Sequence, residues 1–174
     1  MKPIDLGSSL LLVTLAACAG TAVSERNLPR GLTPAAATST QRLAARGVQI
    51  YECRATPQPY APAQWTLVAP EAQLFDGEDR PAGRHFEGPQ WEAADGSRIV
   101  GKVKARADAP QRGAIPWLLL DTTSVGGPGR FSGVKQVLRV NTSGGVAPAT
   151  DCTPGAPDGP LRVPYSADYL LLTD

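Results

Sequence analysis

The chain predicts an all-β fold, an antiparallel sandwich or barrel of about eight short strands with one short amino-terminal helix. Glycine (18) and proline (17) are frequent among its 174 residues, more than long helices tolerate and fewer than disorder requires. From Gly47 onward, short apolar or alternating runs recur, separated by turn dipeptides such as Asp76-Gly77 and Asp95-Gly96.

The first element is not part of the domain. Lys2, an apolar run from about Leu10, and Leu15-Ala16-Ala17-Cys18 follow the order of a secretory signal. A cysteine at the cut point matches the lipobox of bacterial lipoproteins, in which that thiol is acylated. Leu6 to Ala19 is shorter than the roughly 20 apolar residues of a membrane span, and Gly7, Ser8, Ser9 and Thr14 dilute it. Asp5 is an unusual charge for such a leader. By resemblance to other lipoproteins, Ala19 after the cysteine favours the outer membrane, facing the periplasm. The expected division is a signal peptide over 1–17, a lipidated Cys18 with a flexible tether over 18–32, and one β domain over 33–174.

Within that domain, Thr33-Pro34 forms a cap and first-turn pair, and Gly47 a stop after Leu43-Ala44-Ala45-Arg46; together they predict the short helix. Val48 to Cys53 and Trp65 to Ala69 read as strands, the second ending at Pro70. Ile99, Gly101, Val103 and Ala105 alternate with Arg98, Val100, Lys102, Lys104 and Arg106, the pattern of a strand packed on one face. Ile115 to Leu120 is continuously apolar, as in a strand buried on both faces, with Pro116 at its start. Gly126-Gly127-Pro128-Gly129 lies in a loop, Val134 to Thr142 is a strand, and Tyr165, Ala167, Tyr169 and Leu171 share one face of a last strand.

The formal charge of +1 supplies no general attraction for nucleic acid. With Cys18 given to lipid, Cys53 and Cys152 remain. In an oxidising compartment two thiols most simply form one disulfide. A two-cysteine metal site is the alternative, short of partners because the chain has one histidine.

Several phrases together resemble the family known as domain of unknown function 3455. They are Gly47-Val48-Gln49-Ile50-Tyr51-Glu52-Cys53, Trp65 with Ala69 to Leu74, and Gly88-Pro89-Gln90-Trp91 with Asp95-Gly96-Ser97. Ile115 to Leu120, Val137 to Thr142, Gly144-Gly145, Cys152 and Val163 to Tyr169 complete the set. The resemblance covers residues 30–174 in order. It implies a secreted or envelope β domain and brings no reaction, and both cysteines fall within its phrases.

His85 is the only imidazole and thus the natural general base near neutral pH. Glu87, two residues on, or Asp95 would orient it, and Trp91 would wall a pocket. No Gly-x-Ser-x-Gly elbow accompanies them, and nothing favours Ser97 or Ser124 as a nucleophile. Leu120-Asp121-Thr122-Thr123 has threonine where an aspartic-protease loop needs glycine. Asp76-Gly77-Glu78-Asp79 departs from the EF-hand spacing. Arg98, Lys102, Lys104 and Arg106 form a basic stripe able to meet an anionic glycan or headgroup, or simply a solvated face. No cofactor or metal motif is present in the sequence.

The sequence therefore leads to a lipid-anchored envelope module that binds a small molecule, glycan or protein and catalyses nothing. A hydrolase using His85 with Glu87 or Asp95 comes second, and a structural envelope protein third.

Overall fold

The structure, a computed structural model, describes residues 28–58, 60–155 and 159–173. Its strands are β1 (Ser39–Arg54), β2 (Gln64–Phe75), β3 (Pro81–Phe86), β4 (Gln90–Ala93), β5 (Arg98–Ala107), β6 (Trp117–Ser124), β7 (Val134–Gly144) and β8 (Leu161–Thr173). Each pairs antiparallel with its neighbour in sequence, and β1 pairs with β8 to close a barrel. Closure removes the two terminal edges of the sheet. Eight strands also leave a lumen that side chains alone can fill. The all-β expectation holds, and of its two forms the barrel is the one built.

The expected helix is absent among the described residues. Ser39 to Arg46 belongs to β1 and pairs along β8 from Thr173 to Ser166. Leu43 and Ala45 are thereby buried inside the barrel. Closing the barrel seam and burying that face outweigh the modest helix preference of Leu43-Ala44-Ala45. The tether also ends earlier than expected. Leu28 and Leu32 pack on the outside of the barrel, Leu32 without exposure. The signal peptide, Cys18 and the tether up to residue 27 lie outside the described residues.

Two cores result. The inner one fills the lumen with Leu43, Leu74, Trp91, Phe131, Tyr169 and Leu171 among others. The outer one joins Trp117, Leu119, Leu138, Val140 and Leu172, and Leu28 and Leu32 cover it. This explains the continuous apolar run at Ile115 to Leu120. Leu120 faces the lumen while Trp117 and Leu119 face the amino-terminal strap.

β5 departs from its expected alternation. Val103 pairs with Leu120 and Ala105 with Leu119, so Lys104 is an extra, unpaired residue. A β-bulge of this kind shifts the side-chain phase. Ile99 stays in the inner core, whereas Ala105 and Ala107 join the outer one. Arg106, opposite Leu118, leaves the face that carries Arg98 and Lys102. β2 likewise runs through Pro70 to Phe75. It pairs with β3 only from Ala72, so Pro70 has a ladder neighbour on the β1 side alone, at Gln49, as proline tolerates where one side of a strand is unpaired.

The connections alternate between the barrel's ends. After β2, β4 and β6 come the connections of the turn end; after β1, β3, β5 and β7 come those of the loop end. Cys53 and Cys152 are bonded, 99 residues apart with Cα atoms 5.7 Å apart. The bond ties the end of β1 to the β7–β8 loop at the loop end, which decides between the two cysteine readings.

Candidate functional site

His85 points from β3 into the lumen and is 2% exposed. Its ring stacks on Trp91, centroids 4.5 Å apart and planes within 14°, and meets the edge of Tyr169 at 5.0 Å. The register places this contact: His85 lies opposite Trp91 across β3–β4, on adjacent strands whose facing side chains touch. Nδ1 lies 2.8 Å from the Gln90 carbonyl oxygen. A carbonyl only accepts, so the proton of the neutral ring sits on Nδ1. Burial lowers the imidazole pKa to about 3, against the opposing pull of the Gln90 bond. At neutral pH the ring is an uncharged packing element.

The carboxylates proposed to orient it are elsewhere. Glu87 is exposed in the turn after β3, and its carbonyl accepts from Gln90 Nε2. The two-residue spacing would align it with His85 only if the strand continued, and β3 ends at Phe86. Asp95 serves the turn end. Its Oδ1 accepts from the Ser97 amide (2.9 Å) and hydroxyl (2.6 Å), and Oδ2 accepts from the Arg130 amide at 2.8 Å. These bonds, led by the Ser97 hydroxyl, hold its pKa at about 2. Ser97 in turn accepts from the Phe131 amide at 3.0 Å, which makes it a clamp with its hydroxyl spent on Asp95 and Phe131.

The binding residues expected from the sequence separate in the same way. Trp91 is 1% exposed and packs in the inner core. Arg98 is half-buried, while Lys102 and Lys104 are exposed. Lys104 pairs with Asp121 at 3.2 Å, and Lys102 lies opposite Asp121 in register. The stripe is thus interrupted by the bulge and partly neutralised. Asp121 has its pKa lowered chiefly by Gln136, whose amide donates to it at 2.7 Å, and then by Lys104.

Sequence reasoning passed over two concave surfaces. One is an open trough of about 420 Å³ on the outer wall of β1–β3, lined by Arg46, Glu71, Arg84, His85, Phe86 and Arg162. Arg46 pairs with Asp79, Arg84 with Glu92 and Arg162 with Glu71. Only the cross-strand register brings these residues together. The other lies at the loop end, also about 420 Å³, between residues 62–65 and 147–151. Trp65 stands in its wall, directly opposite Cys53 in register. Among the described residues, no three metal-ligating side chains gather.

Fold and site define a class: a closed, disulfide-stapled antiparallel barrel with a side-chain-filled lumen and concavities on its outside. The chain belongs to the family described as protein of unknown function (DUF3455), whose family model matches residues 77–173, from the β2–β3 turn through β8. No curated protein and no solved structure matches it.

Proposed function

We propose that the protein is an exported binding module of the bacterial envelope, lipidated at Cys18, held at the outer membrane facing the periplasm, and without catalysis of its own. One observation carries the binding reading: the lumen is closed by its own side chains. Trp91, His85 and Tyr169 fill its middle, and Phe131 is buried in the inner core at the turn end. The one imidazole is 2% exposed and packed as a neutral ring against Trp91 and Tyr169, and a partner is met on the outside.

Several features support the address. A disulfide suits an oxidising compartment. The outer wall carries Arg46, Arg84, Lys102 and Asp121 in mid-strand, where a membrane-spanning barrel needs an apolar band. Leu28 comes ten positions after Cys18, so an acylated cysteine keeps the barrel within about 35 Å of the bilayer.

Three measurements test this reading. Globomycin should cause an unprocessed precursor to accumulate; unchanged maturation would remove the anchor. A thermal-shift screen on disulfide-intact protein should find a ligand that raises the melting temperature in proportion to the logarithm of its concentration. Turnover of ester, amide or glycoside substrates by the purified protein would contradict the claim of no catalysis, and its loss in His85→Phe would assign it to the imidazole.

A further inference from the structure

We propose that a gap in the barrel wall, above the aromatic plug at the loop end, binds a small amphipathic anion through Arg106 and Arg139. The ligand is a carboxylate or phosphate monoester on an apolar chain; this rests on the binding-module reading and gives it a ligand class. The gap exists because two strands are short. β3 and β4 have six and four residues, between a β2 of twelve and a β5 of ten. β2 pairs with β3 only from Ala72. The last bond of β5 on its β4 side runs from the Gly101 amide to the Pro89 carbonyl, at 2.9 Å. Beyond that hairpin, residues 64–71 and 102–107 have no strand between them.

Two side chains mark the opening. Leu67 lies opposite the buried Tyr51, and Val103 opposite Leu120 of the inner core. Alternation from Leu43 and Ala45 puts Tyr51 on the lumen face, and facing partners share a face. Leu67 and Val103 are nevertheless each 51% exposed. Solvent therefore reaches the lumen face where the wall is missing.

The lining selects charge. The bulge at Lys104 turns Arg106 inward: Ala105 and Ala107 join the outer core, and Arg106 lies opposite Leu118, which packs on the inner one. Arg139 stands on the other side of Leu118 and opposite Tyr169, between the outer-core residues Leu138 and Val140. Two guanidiniums thus flank Leu118 on the lumen face. Arg139 donates through Nε and Nη2 to the Pro116 carbonyl, at 3.0 and 2.9 Å, while Nη1 makes no bond and is not buried. Its charge is felt by Tyr51, His85, Tyr165 and Tyr169, which places it over the plug.

Neither arginine pairs with a carboxylate among the described residues. Glu52, Glu71, Glu92, Asp121 and Asp168 each neighbour lumen residues along their strands and so point outward. Asp108, in the loop just beyond β5, leaves Arg106 unpaired. A half-buried cation without a counter-ion is costly, and guanidinium forks match carboxylate and phosphate oxygens. An anion on an apolar chain answers both the arginines and the rim of Leu67 and Val103. Strand addition fits the gap less well, because the free edges carry Pro70 and the bulge at Lys104, both of which spoil a ladder.

The test titrates the disulfide-intact protein calorimetrically with octanoate, octyl phosphate, octanol and octylammonium, all kept monomeric, and with a peptide of alternating glutamate and valine. At least one of the two anions should bind with a dissociation constant of about 1 mM or below, and octanol and octylammonium at least about tenfold more weakly. The two anions separate a fatty carboxylate from a lipid-type phosphate. Arg106→Gln, at an exposed residue with no ion pair, should weaken the anion about tenfold without moving the melting temperature. Lys102→Gln, on the outer face of the same strand, should leave binding unchanged. The proposal is overturned if neither anion binds, if octanol binds as well, if Arg106→Gln binds like the parent, if Lys102→Gln weakens binding as much, or if only the peptide binds. In each of those cases a ligand found by the thermal-shift screen keeps the binding-module reading standing; silence in both experiments removes both.

Discussion

At the turn end, polar groups are spent on one another; at the loop end, several are left over. The turn after β2 is closed by Asp76, which accepts from the amides of Glu78 and Arg80 and from the Arg80 side chain. Asp95 and Ser97 clamp the β6–β7 loop onto the β4–β5 turn, beside the buried Phe131. The fit there is close enough that a Cβ on Gly129 would come within 2.6 Å of Asp95 Oδ2 and 2.8 Å of Ser97 Cβ. The β1–β2 and β7–β8 connections at the loop end are long and proline-rich, and a disulfide joins them. Trp65 Nε1 and Thr56 Oγ1, buried at that side, have no partner. One end is finished as structure. The other is held by a covalent bridge and leaves buried polar atoms unpartnered.

This contrast can be tested in order of expected effect. Phe131→Ala should cost about 3–5 kcal/mol in urea unfolding, because it empties the turn end of its fully buried ring. A cost below about 1 kcal/mol would mean the end is not closed as described. Cys152→Ser should cost about 2–5 kcal/mol, the range for losing a native bridge that closes a long loop. Gly129→Ala should cost about 1–3 kcal/mol in urea unfolding through overpacking; an unchanged midpoint would mean the loop does not sit on Asp95 and Ser97 as described.

Acid should sharpen the difference further. His85 titrates at about 3 in the fold and at about 6.5 when unfolded. Between those values the unfolded chain binds the extra proton, so stability is full above pH ~6.5 and falls as pH drops toward ~3. His85→Phe should flatten that part of the urea-midpoint profile. Asp95, held at about 2, adds a second loss from about pH 3.9 downward, which Asp95→Asn should remove. Smallest of all, Lys104→Ala breaks an exposed ion pair and should shift stability by no more than about 0.5 kcal/mol.

Much of the fold was legible because local pattern and tertiary burial agree. Tyr165, Ala167, Tyr169 and Leu171 share the lumen face of β8 as their alternation implies. Legibility failed where a local signal met a long-range one. Leu43-Ala44-Ala45 follows a plausible helix start, yet lies in a strand because β8, over 120 residues away, is its pairing partner. Lys102 and Arg106 look co-facial, and nothing local announces the bulge at Lys104 that parts them. β3 and β4 are short and polar enough to escape a search for strands. For the site, the lone histidine drew attention by its chemistry and is a core residue. Any of the three tryptophans could stack on a flat ligand by its chemistry; burial separates them, enclosing Trp91 and Trp117 and leaving Trp65 partly open.

Composition, turn dipeptides and apolar spacing determined the strand-rich class, because turns and two-residue periodicity are local properties of the chain. The two cysteines, together with the export-like start, similarly pointed to one bridge. Tertiary structure decided that the sheet closes, that the imidazole is sealed against Trp91, and that residues 62–65 and 147–151 face each other across a cleft. Those outcomes depend on pairing between distant segments and on the phase of a bulge. The free energy of both lies in contacts that no short stretch of sequence contains.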